Sequence, residues 1–236
     1  MNKKTLIILP TLNEMKNVKI LFKGIKKLNL KVNLLFIDDN SKDGTKEYIS
    51  YLKKTEKNIN FIFNKSRLGI GKAHKNGLKW AYKKKFDYVI TMDSDLAHHP
   101  KYIAMIHRLR NSSSIIIGSR YLKKESTPGW SKFRVFLSKS AHFFFKIIYR
   151  SDLDSTNAFR LYNLKLIDPD FINKIKFNDY EFFFTSLVIL KNKKYKIIQI
   201  PMKILGRSHG NSKMLLKHVF KSILTMFLFY FDQKKY

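Results

Sequence analysis

The chain contains no cysteine, so disulfide bonds and thiolate metal sites are both excluded. Acidic residues are scarce, because 17 Asp and Glu stand against 47 Lys and Arg among 236 residues. No apolar run reaches the roughly 18 residues that a transmembrane helix needs. The apolar run near the N-terminus is short and ends at Pro10, so we expect a cytosolic start and no signal peptide.

The formal net charge of +30 favours anionic partners such as a nucleotide sugar, a lipid phosphate or an acidic membrane surface. Nucleic acid is also anionic, and clustered Lys and Arg bind it by releasing counterions. Most lysines here are instead spread among Asn and Ile, a pattern typical of solvated faces. We therefore expect no nucleic-acid partner. A non-catalytic basic module that binds nucleotides or nucleic acid is the alternative of a different class.

Strand-like and helix-like segments alternate along the first half of the chain, which predicts a mostly parallel α/β sheet with right-handed crossovers. Continuous apolar runs predict strands at 5–9, 32–38, 59–64, 88–93 and 115–119. Helical patterns fall between them at 16–27, 45–54, 71–84 and 100–110.

Polar residues follow most of these predicted strands. They are Pro10, Asp38 with Asp39, Asn64, Asp93 with Asp95, and Gly118 to Arg120. Ligands of parallel α/β sheets bind at the carboxyl ends of the strands. The sequence therefore predicts one active cleft at this edge of the sheet.

Asp93 and Asp95 are the predicted metal ligands. Two residues apart on an extended chain, their carboxylates would point to the same side. Such oxygen ligands suit Mg²⁺ or Mn²⁺, whose remaining positions are filled by water and substrate phosphates. The same two acids also suit a turn or a helix cap, so the spacing alone is weak evidence. For His98 and His99, which follow closely, loop roles are slightly favoured over support of the acids.

Two other motifs have structural readings beside the functional ones. The segment 40–45 is rich in turn formers, and Thr45 is suited to cap the next helix. This does not explain the adjacent acids Asp38 and Asp39, of which Asp39 suits hydrogen bonding to a nucleobase or ribose. The glycine-rich segment 67–77 lacks P-loop spacing and fits plain packing as well as ligand binding.

These motifs occur in the order found in a known family. They are Pro10 to Glu14, Asp38 to Thr45, Leu68 to Ala73, Met92 to Pro100, Gly118 to Tyr121, Gly129 to Ser138, Asp154 to Arg160, Glu181, and Pro201 to Lys213. The chain resembles family 2 glycosyltransferases of the GT-A fold, and among them the enzymes that mannosylate dolichyl or other polyprenyl phosphates. The resemblance implies a Rossmann-like, mostly parallel sheet with flanking helices and C-terminal interfacial helices. It also implies metal-dependent, inverting transfer from GDP-mannose.

The resemblance also implies roles for individual residues. The nucleoside would be held by Pro10, Leu12, Glu14, Ile37 and Asp39. The metal and the diphosphate would be met by Asp93, Ser94, Asp95 and Ala97. The acceptor phosphate would be bound by Arg120, Arg134 and Ser138. The nucleotide phosphates would be covered by Arg207 and Lys213. Asp95, Arg120 and Arg134 are the implied catalytic residues.

Three departures from the family pattern leave the donor open. Leu12 stands where Tyr is common, Asn157 with Ala158 replaces Ser-Gly, and Leu96 with Ala97 lacks a Gln that is sometimes present. UDP-glucose or a UDP-N-acetylhexosamine, on the same lipid acceptor, is therefore the alternative donor.

A lipid acceptor implies membrane contact. The stretches 133–149 and 215–231 mix aromatic residues with Lys and His, as helices lying in a membrane interface do. An ordinary packed helix suits the first stretch equally well, whereas the second favours a membrane or a small hydrophobic membrane subunit. We predict a transferase domain at 1–213, a C-terminal helix at 214–236, and peripheral attachment to the cytoplasmic face of a membrane.

Overall fold

The computed structural model describes residues 4–206 and 216–232. Within them the chain forms seven strands and eight helices. The strands are β1 (Thr5–Thr11), β2 (Val32–Asp38), β3 (Ile59–Phe63), β4 (Tyr88–Thr91), β5 (Ile115–Ser119), β6 (Arg160–Asn163) and β7 (Ile197–Pro201). The helices are α1 (Met15–Lys26), α2 (Thr45–Thr55), α3 (Ile70–Lys83), α4 (Lys101–Arg108), α5 (Lys132–Tyr149), α6 (Phe171–Lys174), α7 (Glu181–Asn192) and α8 (Leu216–Asp232).

The strands form one sheet in the order β3-β2-β1-β4-β6-β5-β7. Strands β1 to β4 are mutually parallel, and β5 is parallel to β7. Strand β6 runs antiparallel to both of its neighbours, β4 and β5. The expected mostly parallel α/β sheet is thus confirmed.

Successive residues of a strand point to opposite faces, and β1 therefore feeds two separate cores. Leu6 and Ile8 pack into one core, which also contains residues of α3, α5, α7 and α8. Ile7 and Leu9 pack into the other core, which contains residues of α1, α2 and α4. Burial on both faces explains why these strands are continuous apolar runs in the sequence.

All five predicted strands and all four predicted helices are present. None of their ends differs from the predicted residue by more than two positions. One shift matters for the site. Strand β4 ends at Thr91, not at Asp93, and the chain turns after it, with a φ of +65° at Leu96. The acidic motif thus lies beyond the strand, and the prediction that the strand extends to Asp93 was wrong.

Helices α5 and α8 coincide with the two stretches proposed for the membrane interface, and each has a packed side. The Tyr149 hydroxyl donates to the Met226 carbonyl oxygen at 2.7 Å, and the Phe144 and Phe227 rings are 6.0 Å apart. Phe229 of α8 also contacts Phe184 of α7. The predicted domain boundary at 213 lies outside the described residues. None of the described helices is both long and apolar enough to cross a membrane.

The packed and open sides of α8 give a stability prediction. Phe229 is 4% exposed and Phe231 is 70% exposed. We expect Phe229→Ala to lower the free energy of unfolding by about 3–5 kcal/mol, through lost burial and a residual cavity. Phe231→Ala, the matched control, should change it by less than about 0.5 kcal/mol. Urea denaturation measures both values, and equal effects would mean that α8 does not pack as described.

Candidate active site

A cavity of about 180 Å³ opens where β1, β2 and β4 end. It collects nine residues that the sequence predicted for the site: Pro10, Leu12, Glu14, Ile37, Asp39, Asp93, Ser94, Asp95 and Arg134. Its remaining lining residues were not predicted: Thr11, Arg67, Ile70, Ala73, Asp179 and Tyr180. We call this space the polar cavity.

Asp39 lies at the wall of the polar cavity and also holds the following loop in place. Its Oδ1 accepts from Asn64 Nδ2 at 2.7 Å, and its Oδ2 accepts from the backbone N–H groups of Leu68 and Gly69 at 3.2 and 3.0 Å. These bonds leave one lone pair on Oδ1, since a carboxylate offers about four and Oδ2 already accepts two bonds. Asp39 is therefore fixed in place and can still accept from a ligand.

Asp38 has a structural role, in contrast to Asp39. It is buried and accepts hydrogen bonds from Thr11 Oγ1 at 3.0 Å and from the Ser41 backbone N–H at 2.9 Å. Glu14 is also buried, but it lines the polar cavity and accepts from Asn17 Nδ2 at 2.6 Å. Asp38 and Asp39, although adjacent in the sequence, thus have different roles.

Asp93 and Asp95 lie at the mouth of the cavity. The turn between them is held by the Ala97 N–H, which donates to Asp95 Oδ1 at 3.0 Å, and by Ser94 Oγ, which donates to the Pro10 carbonyl oxygen. The described residues contain no cluster of three or more His, Asp or Glu side chains suited to a metal. Two carboxylates at a cavity mouth nevertheless fit Mg²⁺ or Mn²⁺, because these ions complete their shells with water and phosphate oxygens.

The slight preference for a loop role was wrong for His98. This side chain is buried, and its Nδ1 accepts from the Asp93 backbone N–H at 3.2 Å. Its Nε2 lies 3.0 Å from Asn157 Oδ1, an oxygen that also accepts from the Phe159 N–H. Nε2 is therefore the donor. Through its Nδ1, His98 supports the turn that contains Asp93 and Asp95, here called the acidic turn. His99 is exposed and accepts from the Lys101 N–H at the start of α4.

The glycine-rich segment packs closely and also borders the cavity. A Cβ atom at Gly71 would lie 2.5 Å from the Asp179 carbonyl oxygen and 2.7 Å from Phe182 Cβ. Only glycine permits this approach of α3 to the segment before α7. The approach brings Asp179 and Tyr180 to the polar cavity, although neither follows a strand and no sequence signal marked them.

A second cavity of about 420 Å³ adjoins the first. Its predicted residues are Asp93, Asp95, Ala97, Arg120, Arg134 and Ser138. Much of the remaining wall is apolar and comes from Trp130, Phe133, Leu137, Ala141, Phe183, Phe184, Ile204, Val219 and Met226. We call this space the apolar cavity. It shares Ile70, Asp93, Asp95, Arg134 and Tyr180 with the polar cavity.

Arg120 is held by a buried carboxylate. Its Nε and Nη2 donate to the two oxygens of Asp154 at 2.9 and 2.8 Å, and Nη2 also donates to Thr156 Oγ1 at 2.7 Å. Nη1 contacts Ser138 Oγ at 3.3 Å. Burial raises the pKa of Asp154, but attraction to Arg120 and its hydrogen bonds outweigh burial and hold this pKa below its ordinary value.

Arg134 lies in the first turn of α5, which begins after the Ser131 cap. Its guanidinium carbon is 3.8 Å from the centroid of the Trp130 ring, a stacking distance for a cation on an aromatic face. The side chain is exposed and borders both cavities. The last two predicted site residues, Arg207 and Lys213, lie outside the described residues.

Among curated proteins, this chain is similar to the polyprenol monophosphomannose synthase of Mycolicibacterium smegmatis. The two are 24% identical over 214 residues, which are 89% of this chain and 81% of that protein. The dolichol-phosphate mannosyltransferase of Pyrococcus furiosus is 29% identical over 224 residues, which are 92% of this chain and 61% of that protein.

Solved structures share the fold at lower identity. The glucosyl-3-phosphoglycerate synthase of Mycobacterium tuberculosis, in complex with Mn²⁺, UDP and glucosyl-3-phosphoglycerate, has a TM-score of 0.70 at 15% identity over 97% of this chain and 80% of that chain. A mannosyltransferase of Pyrobaculum calidifontis, in complex with GDP-Man and Mn²⁺, has a TM-score of 0.55 at 14% identity over 98% of this chain and 70% of that chain.

The sheet and its structural neighbours define an α/β fold of the GT-A type. The model of glycosyl transferase family 2 matches residues 6–174, and the chain belongs to that family. The family resemblance read from the sequence motifs is thus confirmed.

The Arg120 to Asp154 ion pair gives a prediction on stability. Asp154→Ala would leave a buried guanidinium uncompensated, so we expect a loss of about 3–5 kcal/mol in the free energy of unfolding at pH 7. Because the pKa of folded Asp154 is depressed, its contribution is present above the ordinary value of 3.8 and is lost as the pH falls through the folded pKa. The difference between wild type and variant should therefore shrink in acid.

The matched control is Asp152→Ala, which removes an exposed acid paired with the exposed Lys146. Surface pairs of this kind contribute at most about 1 kcal/mol. Urea denaturation at pH 7 and below pH 4 measures both variants. Similar losses for Asp154→Ala and Asp152→Ala would contradict the described burial of the pair.

Proposed function

We propose that this chain transfers mannose from GDP-mannose to the phosphate group of a polyprenyl phosphate, with inversion at the anomeric carbon. The observation that carries the proposal is the shared border of the two cavities, which consists of Asp93, Asp95, Arg134, Ile70 and Tyr180. A polar chamber and an apolar chamber meet there, as a water-soluble donor and a lipid acceptor require. The names of both curated relatives support mannose as the sugar and a polyprenol or dolichol phosphate as the acceptor.

The polar cavity is the proposed donor site. Asp39 accepts hydrogen bonds from the nucleoside, while Pro10, Leu12 and Ile37 form the wall beside it and Glu14 lines the same space. Asp93 and Asp95 would hold a Mg²⁺ or Mn²⁺ ion. When bound, this divalent cation supplies positive charge that stabilises the departing diphosphate. Ser94 and Ala97 keep the acidic turn in shape through their hydrogen bonds.

The apolar cavity is the proposed acceptor site. Arg134 and Ser138, with Arg120 behind them, orient the acceptor phosphate, and the aromatic and aliphatic wall receives the first prenyl units. A phosphate oxygen forms the new bond to the anomeric carbon while the bond from that carbon to GDP breaks, and GDP leaves with the electron pair. A phosphate monoester is largely dianionic near pH 7, since its second pKa is about 6, so positioning replaces a strong general base.

The outer faces of α5 and α8 support contact with a membrane surface. Phe133, Phe136, Phe143 and Ile147 of α5 are exposed, as are Phe220, Leu224, Phe227, Leu228 and Phe231 of α8. Ring contacts from Phe143 through Phe144 to Phe227 join the two rows. We propose that this face binds the cytoplasmic leaflet peripherally, where the excess of Lys and Arg favours anionic lipids. A small hydrophobic membrane subunit on the same face remains a prediction.

The donor prediction is tested by thermal shift. GDP-mannose with Mn²⁺ or Mg²⁺, at about one hundred times its Kd, should raise the Tm by roughly 5–10 °C. UDP-glucose and UDP-N-acetylglucosamine should give smaller shifts, and EDTA should abolish the effect. An equal or larger shift with a UDP sugar would transfer the assignment to that donor.

Asp95→Ala is the variant that tests the site in the same assay. It should lose the metal-dependent shift and reduce mannosyl transfer at least about 100-fold, because an electrostatic group next to the leaving diphosphate is removed. Asp168→Ala, at an exposed acid that lines neither cavity, is the control. A wild-type shift or turnover in Asp95→Ala would reject the proposed site.

The membrane prediction compares two exposed leucines. Leu228 lies on the outer face of α8, whereas Leu166 is exposed elsewhere on the protein. Leu228→Asp should weaken binding to vesicles containing phosphatidylglycerol at least about tenfold, because burial of a leucine side chain in the interface is lost. Leu166→Asp should bind as wild type does. Vesicle co-sedimentation measures the partition, and identical binding by both variants would remove α8 from the docking face.

A further inference from the structure

Arg160, in strand β6, is a buried cation that the proposed reaction has not yet used. Its side chain is 1% exposed. The guanidinium donates from Nε to the Asn157 carbonyl oxygen at 2.8 Å, from Nη2 to the Ser155 carbonyl oxygen at 2.7 Å, and from Nη1 to Ser186 Oγ at 3.1 Å. All three acceptors are uncharged. Arg160 is therefore hydrogen bonded without being neutralised.

The described residues include every Asp and Glu of the chain, and none of these acids forms an ion pair with Arg160. A buried charge without a counterion is costly and rare. The charge also affects its surroundings, since burial and then repulsion by Arg160 lower the pKa of His74 to about 3. His74 is therefore uncharged and does not offset the positive charge of Arg160.

Arg120 differs from Arg160 in this respect. Its charge is matched by Asp154, which contacts it through both carboxylate oxygens. The pair as a whole carries no net charge toward the apolar cavity. Arg160, in contrast, has no ion-pair partner among the described residues.

Arg160 lies directly behind the wall of the apolar cavity. Thr156, Asn157 and Ala158 line that wall, and Arg160 binds the backbone on both sides of Thr156. The ring of Phe183, another lining residue, has its centroid 5.6 Å from the guanidinium carbon. A wall of low polarity screens charge poorly, so the field of Arg160 extends into the cavity.

We propose that Arg160 is the electrostatic positioning residue of the acceptor site: its unmatched charge, held behind the cavity wall, is compensated when an anionic prenyl phosphate binds. The inference rests on the proposed lipid-phosphate acceptor. It assigns the binding preference for a charged headgroup partly to a residue that the ligand does not touch. An acid placed beside Arg160 should therefore weaken phosphate binding while leaving the shape of the cavity intact.

Ser186→Asp supplies such an acid, because Ser186 Oγ already accepts a hydrogen bond from Arg160. Ser186→Asn is the matched control, with nearly the same size and no charge. We expect the Kd for farnesyl phosphate, measured by calorimetry, to be about tenfold larger in Ser186→Asp than in Ser186→Asn. The reason is that a nearby charge is neutralised in a poorly screened site. Binding of farnesol, which has no charge, should be equal in the two variants.

Stability gives a second readout that a purely structural role would not produce. Ser186→Asp should melt at the same temperature as Ser186→Asn or higher, because it pairs the buried charge, even though it binds the anion less well. If Ser186→Asp does not fold, Arg160→Lys and Arg160→Met replace it. The lysine variant, which keeps the charge, should then bind farnesyl phosphate more tightly than the methionine variant.

Equal farnesyl phosphate affinities in the aspartate and asparagine variants would overturn the inference, as would parallel losses for farnesyl phosphate and farnesol. Binding is measured without a donor, so it does not depend on the reaction proposed above. If the wild type binds farnesyl phosphate with the predicted charge dependence but transfers no mannose, the proposed function fails and the role of Arg160 stands.

Discussion

The parallel alignment of β1, β2 and β4 determines where the functional side chains lie. Thr11 pairs in register with Asp38, and Ile8 pairs with Thr91, so the three strands end along one edge of the sheet. The residues that directly follow these strands therefore lie along that edge. The buried apolar contacts on both faces of β1 hold this register, because a slip of one residue would exchange its two sets of side chains.

Four of the scarce acids form two pairs with different roles. Asp38 and Asp154 are buried and hydrogen bonded within the protein. Asp38 holds the loop after β2 in place, and Asp154 holds Arg120. Asp93 and Asp95 border two cavities at the end of a turn. Asp38 and Asp154 thus fix local geometry, whereas Asp93 and Asp95 face the space between the proposed reactants.

The apolar runs were sufficient to predict the central strands. The nine predicted residues of the polar cavity came from the residues after those runs together with the family resemblance, since Arg134 lies in α5 and follows no strand. It did not reveal Tyr180 or Asp179, since their approach depends on α3 packing against the segment before α7 through Gly71. The supporting role of His98 was considered but not favoured. It requires Asn157, which is 59 residues away along the chain, and no local pattern encodes that contact.

Ile70 and Tyr180 form part of the border between the polar and apolar cavities, so occupants of the two chambers touch the same side chains. Any free energy that one occupant spends on ordering these side chains is no longer a cost for the other. Thermodynamic reciprocity then makes the influence equal in both directions. The factor by which a nucleotide sugar alters affinity for the lipid is the factor by which the lipid alters affinity for the nucleotide sugar.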